Sequence, residues 1–234
     1  MDEVFVEREG DTLLMKCRRG NDVYSVMVDN SLFTGRVWDY FNMGPILVGD
    51  PKEILVLGLG GGTIIRQFLG LFDAHIDVVE INPLVVELAE RYFDVRESER
   101  LSIMVSDAFE YMKNTSKNYD VIAVDVFEGD AIPKKLTEPE FMELIRSHTN
   151  ERAVVVVNTI TTGRLLETSD RILENARKVF PSVSTIDDEG NRLVIALSFK
   201  ADCGYAIRQL ESFENPIFDE VRKRLKTKVR EHEK

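Results

Sequence analysis

The sequence predicts an α/β protein: a doubly wound, mostly parallel seven-stranded sheet preceded by a small N-terminal β lobe. Three observations predict it. Residues 53–80 read as strand, glycine-rich turn, helix and second strand, which is one β-α-β unit. Downstream, short apolar runs alternate with segments of helical period, the pattern of a parallel sheet covered on both faces. The last two strands flank a polar turn, so they pair antiparallel and leave one strand reversed. The chain has 234 residues, 44% of them hydrophobic, enough for one such core and a small appendage. The expected division is a β-hairpin lobe over residues 1–45 and a Rossmann-like domain with C-terminal helices over 46–234.

In the lobe, residues 12–17 and 22–29 are strand-like around Arg19, Gly20, Asn21 and Asp22. A Gly-Asn pair between alternating apolar residues is a hairpin signal. Residues 36–43 read as helix, and Gly49-Asp50-Pro51 punctuates the entry to the first core strand. After the opening unit, residues 83–93 form a helix with Leu84, Leu88 and Tyr92 at helical spacing and Pro83 in the first turn. Strands at 101–105 and 119–125 follow, with a short helix at 107–113 between them. Thr137 and Glu140 frame a capping box for a helix over 137–148. Residues 152–158 read as a fully buried fifth strand, and a helix over 163–179 stops at Pro181. Strands at 183–186 and 192–198 close the sheet. The tail after Asp202 reads as helix and ends in a basic run at 222–230, a solvated face or a contact for an acidic partner.

A net charge of −11 argues against nucleic acid as the main partner. It suits a cationic substrate, or simply a solvated acidic surface. No apolar run approaches the roughly 20 residues that span a bilayer, and the N-terminus lacks the basic start of a signal peptide. Cys17 and Cys203 lie far apart without metal spacing, and His75, His148 and His232 are scattered. The expectation is a reduced cytoplasmic protein with no metal and no membrane contact.

The chemistry concentrates at strand ends. In an open α/β sheet, ligands bind beyond the carboxyl ends of the strands. The turn Gly58-Leu59-Gly60-Gly61-Gly62-Thr63 lets the backbone approach a ligand closely. Thr63 replaces the third glycine of the dinucleotide fingerprint, which ranks a nicotinamide-dependent dehydrogenase last. The spacing Gly58, Gly60, Gly62 suits an adenosyl-sulfonium binder. Glu80, about 20 residues on, can accept both hydroxyls of a ribose. Asp107 ends the third strand and can accept from an adenine amino group while Ala108 or Phe109 packs on the ring; a helix N-cap is the plainer role. Asp125, Glu128 and Asp130 cluster after the fourth strand, where a carboxylate could hold and deprotonate an attacking amine. The plain alternative is an exposed acidic loop. Trp38 and Tyr40 are open between acceptor pocket and core, whereas Phe41 reads as core. Asn158 and Thr159 reach the same rim and read as satisfying loop backbone. Arg66 reads as serving the helix surface or a local ion pair.

The runs from Val56 to Thr63, Val79-Glu80-Ile81-Asn82, Ser106-Asp107-Ala108-Phe109, and residues 119–125 through 132–141 resemble the spermidine synthase (polyamine aminopropyltransferase) family. The resemblance implies the class I methyltransferase fold with a small N-terminal β lobe. It implies decarboxylated S-adenosylmethionine as donor, methylthioadenosine as product, a polyamine such as putrescine as acceptor, and a homodimer or homotetramer. It assigns Glu80 to the ribose, Asp107 to the adenine and Asp125 to the catalytic base. Three departures stand out. Gly61 occupies the place of a family acid that holds the donor's amine, which would make intact S-adenosylmethionine more acceptable. The second of the paired acids is Glu128, a methylene longer than the family's aspartate. The segment before the core offers only Asp39 and Tyr40 to an acceptor. The chain is therefore most similar to the spermidine synthase-like branch. The expected site comprises Asp125 and Glu128 as catalytic and acceptor-binding residues, Tyr40 beside the acceptor, and Gly58, Gly60, Gly62, Glu80, Asp107 and Ala108 around the donor. Alternatives are an S-adenosylmethionine-dependent methyltransferase and a non-catalytic nucleoside-binding relative.

Overall fold

Three short strands pair before the core begins. In the computed structural model, which describes residues 4–18, 23–128 and 132–232, β1 (Val4–Glu9), β2 (Thr12–Cys17) and β3 (Val23–Val28) form an antiparallel sheet in that order. The expected turn at Arg19 to Asp22 and the acid Asp130 lie outside the described residues. A 3-10 turn at Val37–Asn42 leads into α1 (Met43–Val48).

The core then alternates strictly. In chain order it runs β4 (Glu53–Leu57), α2 (Thr63–Leu71), β5 (His75–Glu80), α3 (Pro83–Tyr92), β6 (Leu101–Val105), α4 (Ala108–Asn114) and β7 (Tyr119–Val124). It continues through α5 (Pro139–Ser147), β8 (Thr149–Ile160), α6 (Leu165–Val179), β9 (Ser182–Asp188) and β10 (Asn191–Leu197). The tail forms α7 (Tyr205–Ser212), α8 (Asp219–Lys228) and β11 (Val229–His232). The main sheet has the order β11-β9-β10-β8-β7-β4-β5-β6. Strands β4 to β8 are mutually parallel, and β10 is antiparallel to both β8 and β9. The chain runs outward from β4 in one direction to β6 and then restarts at β7 on the other side. The crevice at that reversal is where such sheets bind ligands. Strand pleating sends Ile54 and Val56 into one core layer and Leu55 and Leu57 into the other.

Four expectations are corrected. The sheet has eight strands rather than seven, and two are reversed, because β11 pairs antiparallel with β9. The tail therefore does not end as helix; Val229 pairs with Ile186 and covers what would be an open edge. On α3 the buried positions are Val85 and Ala89, whereas Leu84 and Tyr92 are 38% and 40% exposed. Both sets have helical spacing, and the smaller side chains are the ones the sheet accepts. The capping box at Thr137 does not form. Pro139 takes the first position of α5 and holds Glu138 extended, so the Thr137 hydroxyl donates to the Lys134 carbonyl at 2.8 Å instead.

The basic tail has specific work. From α8, Arg224 Nη2 donates to Asp39 Oδ2 at 2.9 Å, and Lys228 pairs with Asp188 at the end of β9. Asp39 is fully buried and also accepts from the Thr34 and Gly35 amides, the Thr34 hydroxyl and Gln67 Nε2. No helix among the described residues is long and apolar enough to cross a membrane.

Candidate active site

The parallel register sets Leu57 beside Val79 on one side and Val124 on the other, so Gly58, Glu80 and Asp125 emerge from adjacent strand tips. The Asp125 amide donates to the Leu57 carbonyl at 2.8 Å, and the Gly58 amide to the Val79 carbonyl at 2.8 Å. Gly58 has φ +95°, and a Cβ there would run into the Asp125 carbonyl oxygen. Only glycine permits this approach. Above these tips opens a cleft of about 1070 Å³ lined by Gly58, Gly60, Glu80, Asp107, Ala108 and Asp125, with Glu128 at its exposed rim.

Each carboxylate is held differently. Glu80 accepts the Leu59 amide at 3.0 Å on Oε2 and the Asn82 amide at 2.9 Å on Oε1. Each oxygen keeps a further lone pair for a hydroxyl donor. Asp107 caps α4, with Oδ1 accepting the Glu110 amide at 3.0 Å, and it faces the cleft as well. Asp125 accepts Trp38 Nε1 on Oδ2 at 3.1 Å and Asn158 Nδ2 on Oδ1 at 2.8 Å. Protein packs around this carboxyl, and loss of solvation pushes its pKa up to about 6; the bonds from Asn158 and Trp38 pull the other way.

Two expected residues lie elsewhere. Gly62 does not line the cleft: it starts α2 in the left-handed region at φ +73°, and its α-carbon faces Val95. Its role is to turn the loop. Tyr40 is buried at 1% exposure in the hydrophobic core. It hydrogen-bonds Asp188, burial and that acid push its phenol up to about 12, and the Arg224 guanidinium lies 5.5 Å from its ring centre. It does not line the cleft. Gly61 also turns from it; a Cβ there would meet the Phe93 ring and Ser25 Cβ at 2.9 Å. A side chain at this position would therefore press on Phe93 and Ser25 rather than enter the cleft.

Other residues acquire roles that the sequence did not reveal. Thr63 shares a 2.6 Å hydrogen bond with the Ser25 hydroxyl and donates to the Val26 carbonyl at 2.7 Å. Arg66 donates to the carbonyls of Gly61, Phe93 and Val26 rather than serving the helix surface, and burial lowers its pKa to about 10. Together they tie the glycine loop to β3. Trp38 and Asn158 become the ligands of Asp125, and Asn191 Nδ2 in turn donates to Asn158 Oδ1 at 3.0 Å.

A central strand flanked by β-α repeats, with a reversed penultimate strand, is the class I methyltransferase fold. A probable spermidine synthase from Corynebacterium glutamicum superposes with TM-score 0.76 at 21% identity, over 89% of this chain and 84% of that one. A spermidine synthase in complex with the transition-state analogue AdoDATO superposes with TM-score 0.67 at 18% identity, over 94% and 83%. Within that class the chain belongs to the spermine/spermidine synthase domain family, whose model matches residues 41–187. The polyamine aminopropyltransferase of Vibrio vulnificus is 31% identical over 151 residues, 63% of this chain and 50% of that protein. The chain thus spans about half the length of this curated relative.

Proposed function

We propose that this chain transfers an aminopropyl group from decarboxylated S-adenosylmethionine to an amine of the polyamine class. The observation that carries the reading is Asp125: a carboxylate gripped on both oxygens at the sheet's reversal point, in the same cleft as Glu80 and Asp107. In this reading Glu80 takes the ribose hydroxyls, and the second oxygen of Asp107 takes the adenine amino group. Ala108 and Phe109 flank the ring, and the glycine loop leaves room for the sulfonium.

The donor supplies a carbon activated by positive sulfur. The attacking nitrogen must be neutral, so Asp125 removes a proton from the acceptor's ammonium. The nitrogen–carbon bond forms, the carbon–sulfur bond breaks, and methylthioadenosine leaves. Glu128, Asp188 and Glu189 also line the cleft and favour a cationic acceptor, with Lys134, Lys135 and Arg36 as cations on the same walls. Gly61 still lacks the acid that would repel a donor carboxylate, so the choice between the two donors is made by the binding comparison below. The homo-oligomer, the cytoplasmic location and the absence of a metal belong to the same proposal.

Release of methylthioadenosine from decarboxylated donor in the presence of putrescine tests the reading, with calorimetry comparing both donors. Activity in the wild type and a loss of at least about a hundredfold in Asp125→Asn are expected. Tighter binding of the carboxylated donor, with methyl transfer, would overturn it.

A further inference from the structure

Asp125 receives one donor on each oxygen, and the two donors come from different elements. Trp38 reaches Oδ2 from the segment that joins lobe to core, and Asn158 reaches Oδ1 from the end of β8. Asn158 is itself oriented. An amide side chain can turn over and exchange its oxygen for its nitrogen. Here its oxygen is engaged by Asn191, the first residue of β10, so only the NH2 group faces Asp125. The reversed amide would lose the Asn191 bond and set two acceptors face to face.

We propose that Trp38 and Asn158, with Asn191 behind Asn158, are positioning residues that fix the Asp125 carboxylate in its proton-accepting orientation. The assignment rests on the transferase reading above. Two donors on different oxygens leave the carboxyl group no free torsion. Each oxygen then presents its remaining lone pair toward the cleft in a set direction. Proton transfer depends on that alignment, and a preorganised group loses no freedom at the moment of reaction. Trp38 and Asn158 contribute direction; Asn191 contributes only by choosing which face Asn158 presents. Their substitution should therefore lower turnover and leave donor binding alone, because the donor's ribose and base are held by other strand tips.

The test compares wild type with Trp38→Phe, Asn158→Ala, Asn191→Ala and the Asn158→Ala/Asn191→Ala double variant. It uses methylthioadenosine release for kcat and donor KM, and calorimetry for methylthioadenosine affinity. Trp38→Phe and Asn158→Ala are expected to lower kcat about tenfold or more, the worth of a hydrogen bond to a charged group, with donor KM and product affinity within about twofold. The double variant is expected to match Asn158→Ala alone, since Asn191 acts through Asn158. Undiminished kcat in both Trp38→Phe and Asn158→Ala would overturn the proposal. So would an Asn191→Ala effect that multiplies in full onto Asn158→Ala. Should Asn158→Ala fail to fold, by thermal melting, Trp38→Phe and the rim variant Asn191→Ala decide by the same kcat–KM split, read on variants whose melting matches wild type. An inactive wild type with both donors overturns the transferase reading and the clamp together, whereas an active wild type with indifferent variants overturns the clamp alone.

Discussion

Asp125 combines partial burial with two neutral donors, and its elevated pKa of about 6 has two measurable consequences. As a base it must be ionised, so kcat/KM is expected to rise as pH climbs through about 6 and then level off. The stability effect has the opposite sense. A carboxyl whose pKa is higher folded than unfolded binds more protons in the native state, so its contribution is full below the ordinary value of 3.8 and is lost as pH rises through about 6. The Tm difference between Asp125→Asn and wild type should therefore shift in favour of the variant between about pH 4 and 6, by the equivalent of about 2–3 kcal/mol at most. A flat difference across that window would contradict the raised pKa. At Gly61 the expectation is steric: Gly61→Ala presses on Phe93 and Ser25 and should cost about 1–3 kcal/mol in urea melts.

At the scale of elements, the glycine loop is anchored from outside its own β-α-β unit. Thr63 sits where a dinucleotide fingerprint has glycine, and its hydroxyl bonds Ser25 and the Val26 carbonyl. Thr63→Val keeps the shape but strands the buried Ser25 hydroxyl. A loss of about 1–3 kcal/mol is expected, together with weaker methylthioadenosine binding by calorimetry. This contact also marks the limit of what sequence reveals. Strands, their order and the acids at their tips are legible because apolar runs, turns and the β-α-β rule are local signals. The partners of Asp125 are not: Trp38 and Asn158 lie 87 and 33 residues away in sequence, and only packing brings them together. Tyr40 illustrates the same limit, since aromatic spacing in a short helix fits a pocket and a core equally well. On α3, two stripes of equal period compete, and shape against the sheet selects Val85 and Ala89. The basic run stays helical through Lys228, and only its last residues, from Val229, become strand β11 because β9 offers them an edge.

At the scale of the whole molecule, α8 grips two distant segments. Arg224 supplies the cationic partner of buried Asp39, one residue from Trp38, and Lys228 pairs with Asp188, which stands opposite Asn191 in the β9–β10 register. Arg224→Ala should lower stability by about 1.5–3 kcal/mol, the range for a hydrogen bond to a charged group, measured by denaturant unfolding. It should also raise the acceptor's KM more than the donor's, because the Trp38 wall loosens and the strand tips around Glu80 do not.

The grip of α8 also governs how wide the entrance can swing. The Val37–Asn42 segment and the end of β9 are joined twice, through α8 and through the Tyr40–Asp188 hydrogen bond, so spreading one for an incoming acceptor drags the other. Access then becomes a property of the tail's seating, and hydrogen exchange in the Val37–Asn42 segment should rise and fall together with exchange in the β9–β10 hairpin.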